Sequence, residues 1–117
     1  MAIIERHTSP DNSLVLLVDV TDGDWTIGFD GCPWHTHGDI LDAWGYDGSP
    51  ESRARRFVDD ILQSRRVIAV IRMDGRVTDI VVPDDLMHRP LSKHFGKYAP
   101  LNETMEFRYW NGIPAAE

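Results

Sequence analysis

The sequence predicts an α+β fold: an antiparallel sheet of two hairpins plus a C-terminal strand, packed on one main amphipathic helix. Three observations carry this reading. Two aliphatic, β-branched stretches are each divided by an Asp-Gly pair, at Asp22-Gly23 and Asp74-Gly75, the strongest short-range signal for a hairpin. Between them, apolar residues recur at helical spacing. A last alternating stretch, Thr104 to Trp110, follows a segment with little periodicity.

The elements follow in chain order. Ile3-Ile4 can add an edge strand. Ser13 to Val20 is a buried strand by its run of Leu and Val. Thr21 to Asp24 turns the chain, and Trp25 to Phe29 returns with Trp25, Ile27 and Phe29 on one face. Asp30-Gly31-Cys32-Pro33 ends that strand. Trp34 to Gly48 is a long connection in which Asp39 to Trp44 can form a helical turn.

Ser49-Pro50-Glu51 is a helix start. Ser49 can cap, Pro50 suits the first helical position, and Glu51 suits the positive end of the dipole. Ala54, Phe57, Val58, Ile61 and Leu62 form the apolar stripe, and Arg65-Arg66 closes the helix where the dipole favours cations. Val67 to Met73 and Arg76 to Val82 make the second hairpin. A short helix from Pro83 to about His88 and a loop from Met87 to Leu101 precede the last strand, and Asn111-Gly112 and Pro114 end it.

The 117 residues fit a single domain, 1–117, able to bury a core without disulfides or a structural metal. One cysteine, Cys32, excludes an internal disulfide. The N-terminal residues lack the basic and apolar regions of a secretory signal. The longest apolar runs, Leu14 to Val18 and Val67 to Ile71, are far short of the ~20 residues that span a bilayer. A reduced, cytoplasmic setting with no membrane partner is the simplest expectation.

The net charge of −7 is unevenly placed: residues 1–60 carry 12 acidic and four basic side chains. An acidic face repels nucleic acid and attracts basic partners. Arg53, Arg55, Arg56, Arg65, Arg66, Arg72 and Arg76 form only a modest basic set, and acids such as Glu51, Asp59 and Asp60 lie close by in sequence. Tyr109 and Trp110 could stack bases, but without a wide basic field no nucleic-acid partner is expected.

The densest polar cluster runs from Cys32 to Asp39. In an extended segment His35 and His37 point to one side, so both could reach one metal ion, with Cys32 or Asp39 as a third ligand. His88 and His94 are the only distant candidates. The alternative is a packed loop whose imidazoles bond to backbone carbonyls. Zinc is the cofactor of the metal reading, a small metal-binding protein or metal-dependent enzyme centred on His35 and His37; otherwise no cofactor is expected. Cys32 as a nucleophile with His35 or His37 as base is disfavoured by acidic neighbours Asp30 and Asp39. Gly28, Gly31 and Gly38 lack the lysine and spacing of a phosphate cradle. No residue is assigned a catalytic role.

Trp34, Trp44 and Tyr46 sit in the long connection among Asp39, Asp42, Asp47 and Glu51. Aromatic anchors amid carboxylates fit a surface for a basic protein partner; rings that pin the loop to the domain are the other reading. Three pieces together, Gly28 to Asp39, Phe57 to Leu62 and Phe107 to Gly112, give a chain that resembles the immunity proteins of bacterial polymorphic toxin systems. That resemblance implies a cytoplasmic, non-enzymatic α+β protein that binds and neutralises a cognate toxin, with the acidic loop meeting a basic toxin domain.

Overall fold

The computed structural model describes residues 2–83 and 103–115. Its elements are β1 (Ile3–Thr8), β2 (Val15–Thr21), β3 (Asp24–Phe29), β4 (His35–His37), a 3-10 helix (Gly38–Trp44), α1 (Pro50–Leu62), β5 (Ile68–Met73), β6 (Arg76–Val81) and β7 (Glu103–Arg108). The α+β class with antiparallel pairing holds throughout. The two hairpins, however, do not share one sheet. β1-β2-β3-β4 form a four-stranded sheet, and β6-β5-β7 form a separate three-stranded one. The predicted helix at Pro83 to His88 and the loop from Met87 to Leu101 lie outside the described residues, save for Pro83.

Both hairpin turns have two residues with positive φ: 51° and 78° at Asp22-Gly23, 52° and 80° at Asp74-Gly75. This is the type I′ turn, whose twist matches that of the strands it joins. Thr21 therefore pairs with Asp24 and Met73 with Arg76.

Ser49 caps α1 by accepting the Ser52 amide, with Pro50 at the first helical position. The helix stops at Leu62, three residues before the predicted Arg65. Ser64 adopts a left-handed conformation at φ 59°, and the amides of Ser64 and Arg65 donate to the carbonyls of Ile61 and Asp60. This hydrogen-bonded reversal ends the helix without glycine. Arg65 folds back to pair with Asp59 and Asp60.

The first sheet has two unlike faces. Leu16, Val18, Ile27, Phe29 and Thr36 point inward, where they meet Ala54, Phe57, Val58 and Ile61 of α1. Leu17, Asp19, Thr26, Gly28, His35 and His37 share the opposite face. Ile68, Val70, Ile80, Val82 and Trp110 extend the same buried cluster to the second sheet, so both sheets share one core. Trp110, weighed as a base-stacking residue, is part of that core.

The two ends of the described chain are bound together. Asp11 organises the turn after β1 by accepting from Ser9 Oγ, Ser13 Oγ and the Ser13 amide. Arg108, 5% exposed, donates to Asp11 at 2.8 Å and Ser13 Oγ at 2.9 Å, and also to the carbonyls of Tyr109 and Trp110. The Arg108 guanidinium, with the serine hydroxyls, holds the Asp11 carboxyl well below the usual carboxylate range.

Candidate functional site

The connection from Asp30 to Gly48 is more structured than its composition suggests. Residues 35–37 pair with β3 as an edge strand, Gly28 opposite His35 and Thr26 opposite His37. The 3-10 helix follows at once, and Gly38 brings its start against α1. A Cβ at Gly38 would collide with the Pro50 carbonyl oxygen. This close approach fixes where the acidic side chains of the connection emerge.

Strand alternation places His35 and His37 on the outer face, as predicted, with ring centroids 5.0 Å apart and planes crossing at 87°. Nδ1 of His35 donates to the Pro33 carbonyl at 3.0 Å. Nδ1 of His37 donates to Asp24 Oδ1 at 3.1 Å, with Thr26 Oγ1 at 3.2 Å. The backbone-carbonyl bond anticipated for a packed loop is thus present at His35. Cys32, Trp34, His35, His37, Thr26 and Asp19 line one cleft of about 380 Å³. Among the described residues no three His, Cys, Asp or Glu side chains group as a metal's ligands would. Burial, followed by the charge of Asp79, pushes the Cys32 thiol up, away from the reactive thiolate form.

The aromatic residues divide differently from expectation. Tyr46, expected at a partner surface, is buried at 8% exposure. Its hydroxyl donates to Asp60 at 2.6 Å and accepts from Arg66 Nε at 3.0 Å. Burial and the Asp60 bond push this phenol up to about 12. Burial raises the Asp60 carboxyl, but bonds from Tyr46 and Arg65 outweigh it and leave a net lowering. Trp44 is half-buried edge-on against Phe57, ring centroids 5.4 Å apart. Arg66, read in the sequence as a helix-end cation, is 6% exposed and lies over Trp44, Tyr46 and Phe57 at 5.2–5.8 Å. These rings therefore pin the connection to α1, and the guanidinium sits in a cation–π environment. Trp34 is half-buried, 6.3 Å from Phe29, and its amide donates to Asp79.

The carboxylates behave as expected. Asp39, Asp42, Asp47 and Glu51 are exposed. Asp39 joins Asp22 and Asp24 around a second cleft of about 480 Å³, together with Trp25, His37, Ile40 and Pro50. Ile40 is 50% exposed. Among the described residues, no cation pairs with Asp22, Asp39, Asp42 or Asp47. The nearby Arg53 instead donates to the carbonyls of Gly38 and Asp39. Asp22, Asp24 and Ile40 were missed in the sequence. Asp22 and Asp24 read there only as turn residues, and Ile40 only as part of a helical turn.

The basic residues do not gather into a field. Arg55 pairs with Glu5 and lies over Trp25 at 5.0 Å, Arg65 pairs with Asp59 and Asp60, and Arg72 pairs with Glu106. Among the described residues, no helix is long and apolar enough to cross a membrane. His88 and His94 lie outside those residues. No protein-family model, curated protein or solved structure matches the chain.

Proposed function

We propose that this chain is a non-enzymatic protein-binding domain, an immunity protein of the bacterial cytoplasm that neutralises a cognate basic toxin. The observation that supports this reading is the surface formed by the β2–β3 turn, the 3-10 helix and the start of α1. There Asp22, Asp24 and Asp39 surround a cleft beside exposed Ile40, with Asp42, Asp47 and Glu51 on adjoining segments. Asp24 faces His37 and Glu51 faces Arg55, whereas Asp22, Asp39, Asp42 and Asp47 pair with no cation among the described residues, which leaves them open to an incoming lysine or arginine and able to accelerate encounter with a cationic partner. Ile40 replaces Trp44 and Tyr46 as the apolar anchor, because those two rings are engaged within the domain.

The test is kinetic, against the cognate toxin domain that this reading implies. Neutralising Asp39, Asp42 and Asp47 together to Asn should slow association about tenfold or more at low salt and flatten its salt dependence. Ile40→Asp should mainly speed dissociation. A triple variant that associates as fast as the parent at low salt would remove this surface from the interaction.

A further inference from the structure

We propose that His35 and His37 form a two-imidazole binding site for an imidazole-preferring divalent ion of the Zn²⁺ and Ni²⁺ class. This site does not depend on the protein-binding reading, although Asp24 and His37 also line the cleft of that surface, and three features of β4 carry it. The first is tautomeric. The Pro33 carbonyl and the Asp24 carboxylate can only accept, so their bonds to Nδ1 of His35 and Nδ1 of His37 favour the Nδ1–H form of both rings, with Thr26 Oγ1 beside His37 Nδ1 then in the accepting role. In the neutral rings the free lone pair therefore lies on Nε2 in both.

The second is spacing. Two imidazoles bound through Nε2 to one ion at about 2.1 Å, at a roughly tetrahedral angle, have ring centroids about 5 Å apart. The observed separation of 5.0 Å is compatible with that arrangement, and with planes crossing at 87° it is also the separation of an edge-to-face ring contact. The third is support. A carboxylate or backbone carbonyl on the far ring nitrogen is the arrangement that orients metal-binding histidines and raises their basicity. Here Asp24 and Pro33 provide one each. The pairing of β4 with β3 holds both rings on one face, and both remain open to solvent, His35 exposed and His37 half-buried.

The protein supplies two ligands and solvent the rest, since no third protein ligand groups with them among the described residues.

Calorimetric titration of the full chain with Ni²⁺, and separately with Zn²⁺, tests this. One ion should bind per chain. His35→Ala and His37→Ala should each weaken binding about tenfold or more, and Asp24→Ala about tenfold by releasing the His37 ring, with circular dichroism unchanged. A His35→Ala/His37→Ala double variant that keeps the parent's affinity would place the ion elsewhere and overturn the assignment. Nitrogen spectra of the unsubstituted protein give a reading free of folding effects. Zn²⁺ should move the Nε2 resonances of both rings. A change confined to Nδ1, or none at either ring with Zn²⁺ in large excess, would also overturn it.

Discussion

Removing the hydroxyl of Tyr46 should destabilise the domain and abolish one component of its alkaline unfolding. In Tyr46→Phe the ring still packs edge-on to Phe57, 5.8 Å between centroids, so apolar burial is nearly unchanged. Two hydrogen bonds to charged partners disappear, one to Asp60 and one from Arg66. Asp60 keeps Arg65 and some water, whereas Arg66 Nε loses its acceptor in a buried setting. Such a loss costs about 2–3 kcal/mol at neutral pH. The alkaline component follows from the phenol itself. Folding raises it from 10.0 to about 12, so the native state holds this proton more tightly than the unfolded chain. The associated stability is complete below pH 10 and lost between pH 10 and 12, about 2–3 kcal/mol in all. Urea unfolding of parent and variant from pH 7 to 11.5 measures both quantities, and the difference curve cancels the other alkaline groups. The difference should be greatest at pH 7 and shrink above pH 10. A variant within 0.5 kcal/mol of the parent at pH 7, or a constant difference up to pH 11.5, would refute the proposed network.

Phe57→Ala should cost about 3–5 kcal/mol, because the side chain is fully buried and carries the Trp44 and Tyr46 contacts; the denaturant midpoint reads it. Gly38→Ala should cost about 1–3 kcal/mol, since its methyl meets the Pro50 carbonyl and must push the 3-10 helix off α1; a midpoint equal to the parent's would show that the approach is loose. Cys32→Ser should leave toxin neutralisation intact and alter stability by under about 1 kcal/mol, because the sulfur is only half-buried; loss of neutralisation in a folded variant would contradict this.

The parts legible in the sequence were those set by local chemistry. Asp-Gly at 22–23 and 74–75 fixed both hairpins, and Ser49-Pro50 fixed the start of α1, because turn and cap preferences act over a few residues. The same locality hid β4. The three residues His35 to His37 offer too short a run for period-two patterning, and they become a strand only because β3 presents a free edge. β1 was read only at Ile3-Ile4, since Glu5, Arg6 and His7 look like surface loop until β2 pairs with them. The division into two sheets depends on which strands meet, which no single segment encodes. At the site, His35 and His37 sharing a face followed from strand alternation, and the exposed acids followed from their charge. The burial of Tyr46 and Arg66 did not. A lone arginine reads as surface, and only the assembled rings of Trp44, Tyr46 and Phe57 give it an interior place.

The Arg108 clamp has a consequence for how the molecule comes together. β5 lies between β6 and β7, and β7 is separated from it by some 30 residues of chain. Arg108 also binds a turn 97 positions earlier. The first hairpin and α1 can pack as soon as they are synthesised, but the second sheet cannot gain its third strand, nor the Asp11 turn its cation, until residue 108 is free. Closure of these distant contacts is entropically the slowest kind. During translation, one edge of β5 should therefore stay open for pairing with other chains. Arg108 would then act as the last latch: nascent chains stalled before it should be the aggregation-prone species, and those stalled beyond it protected.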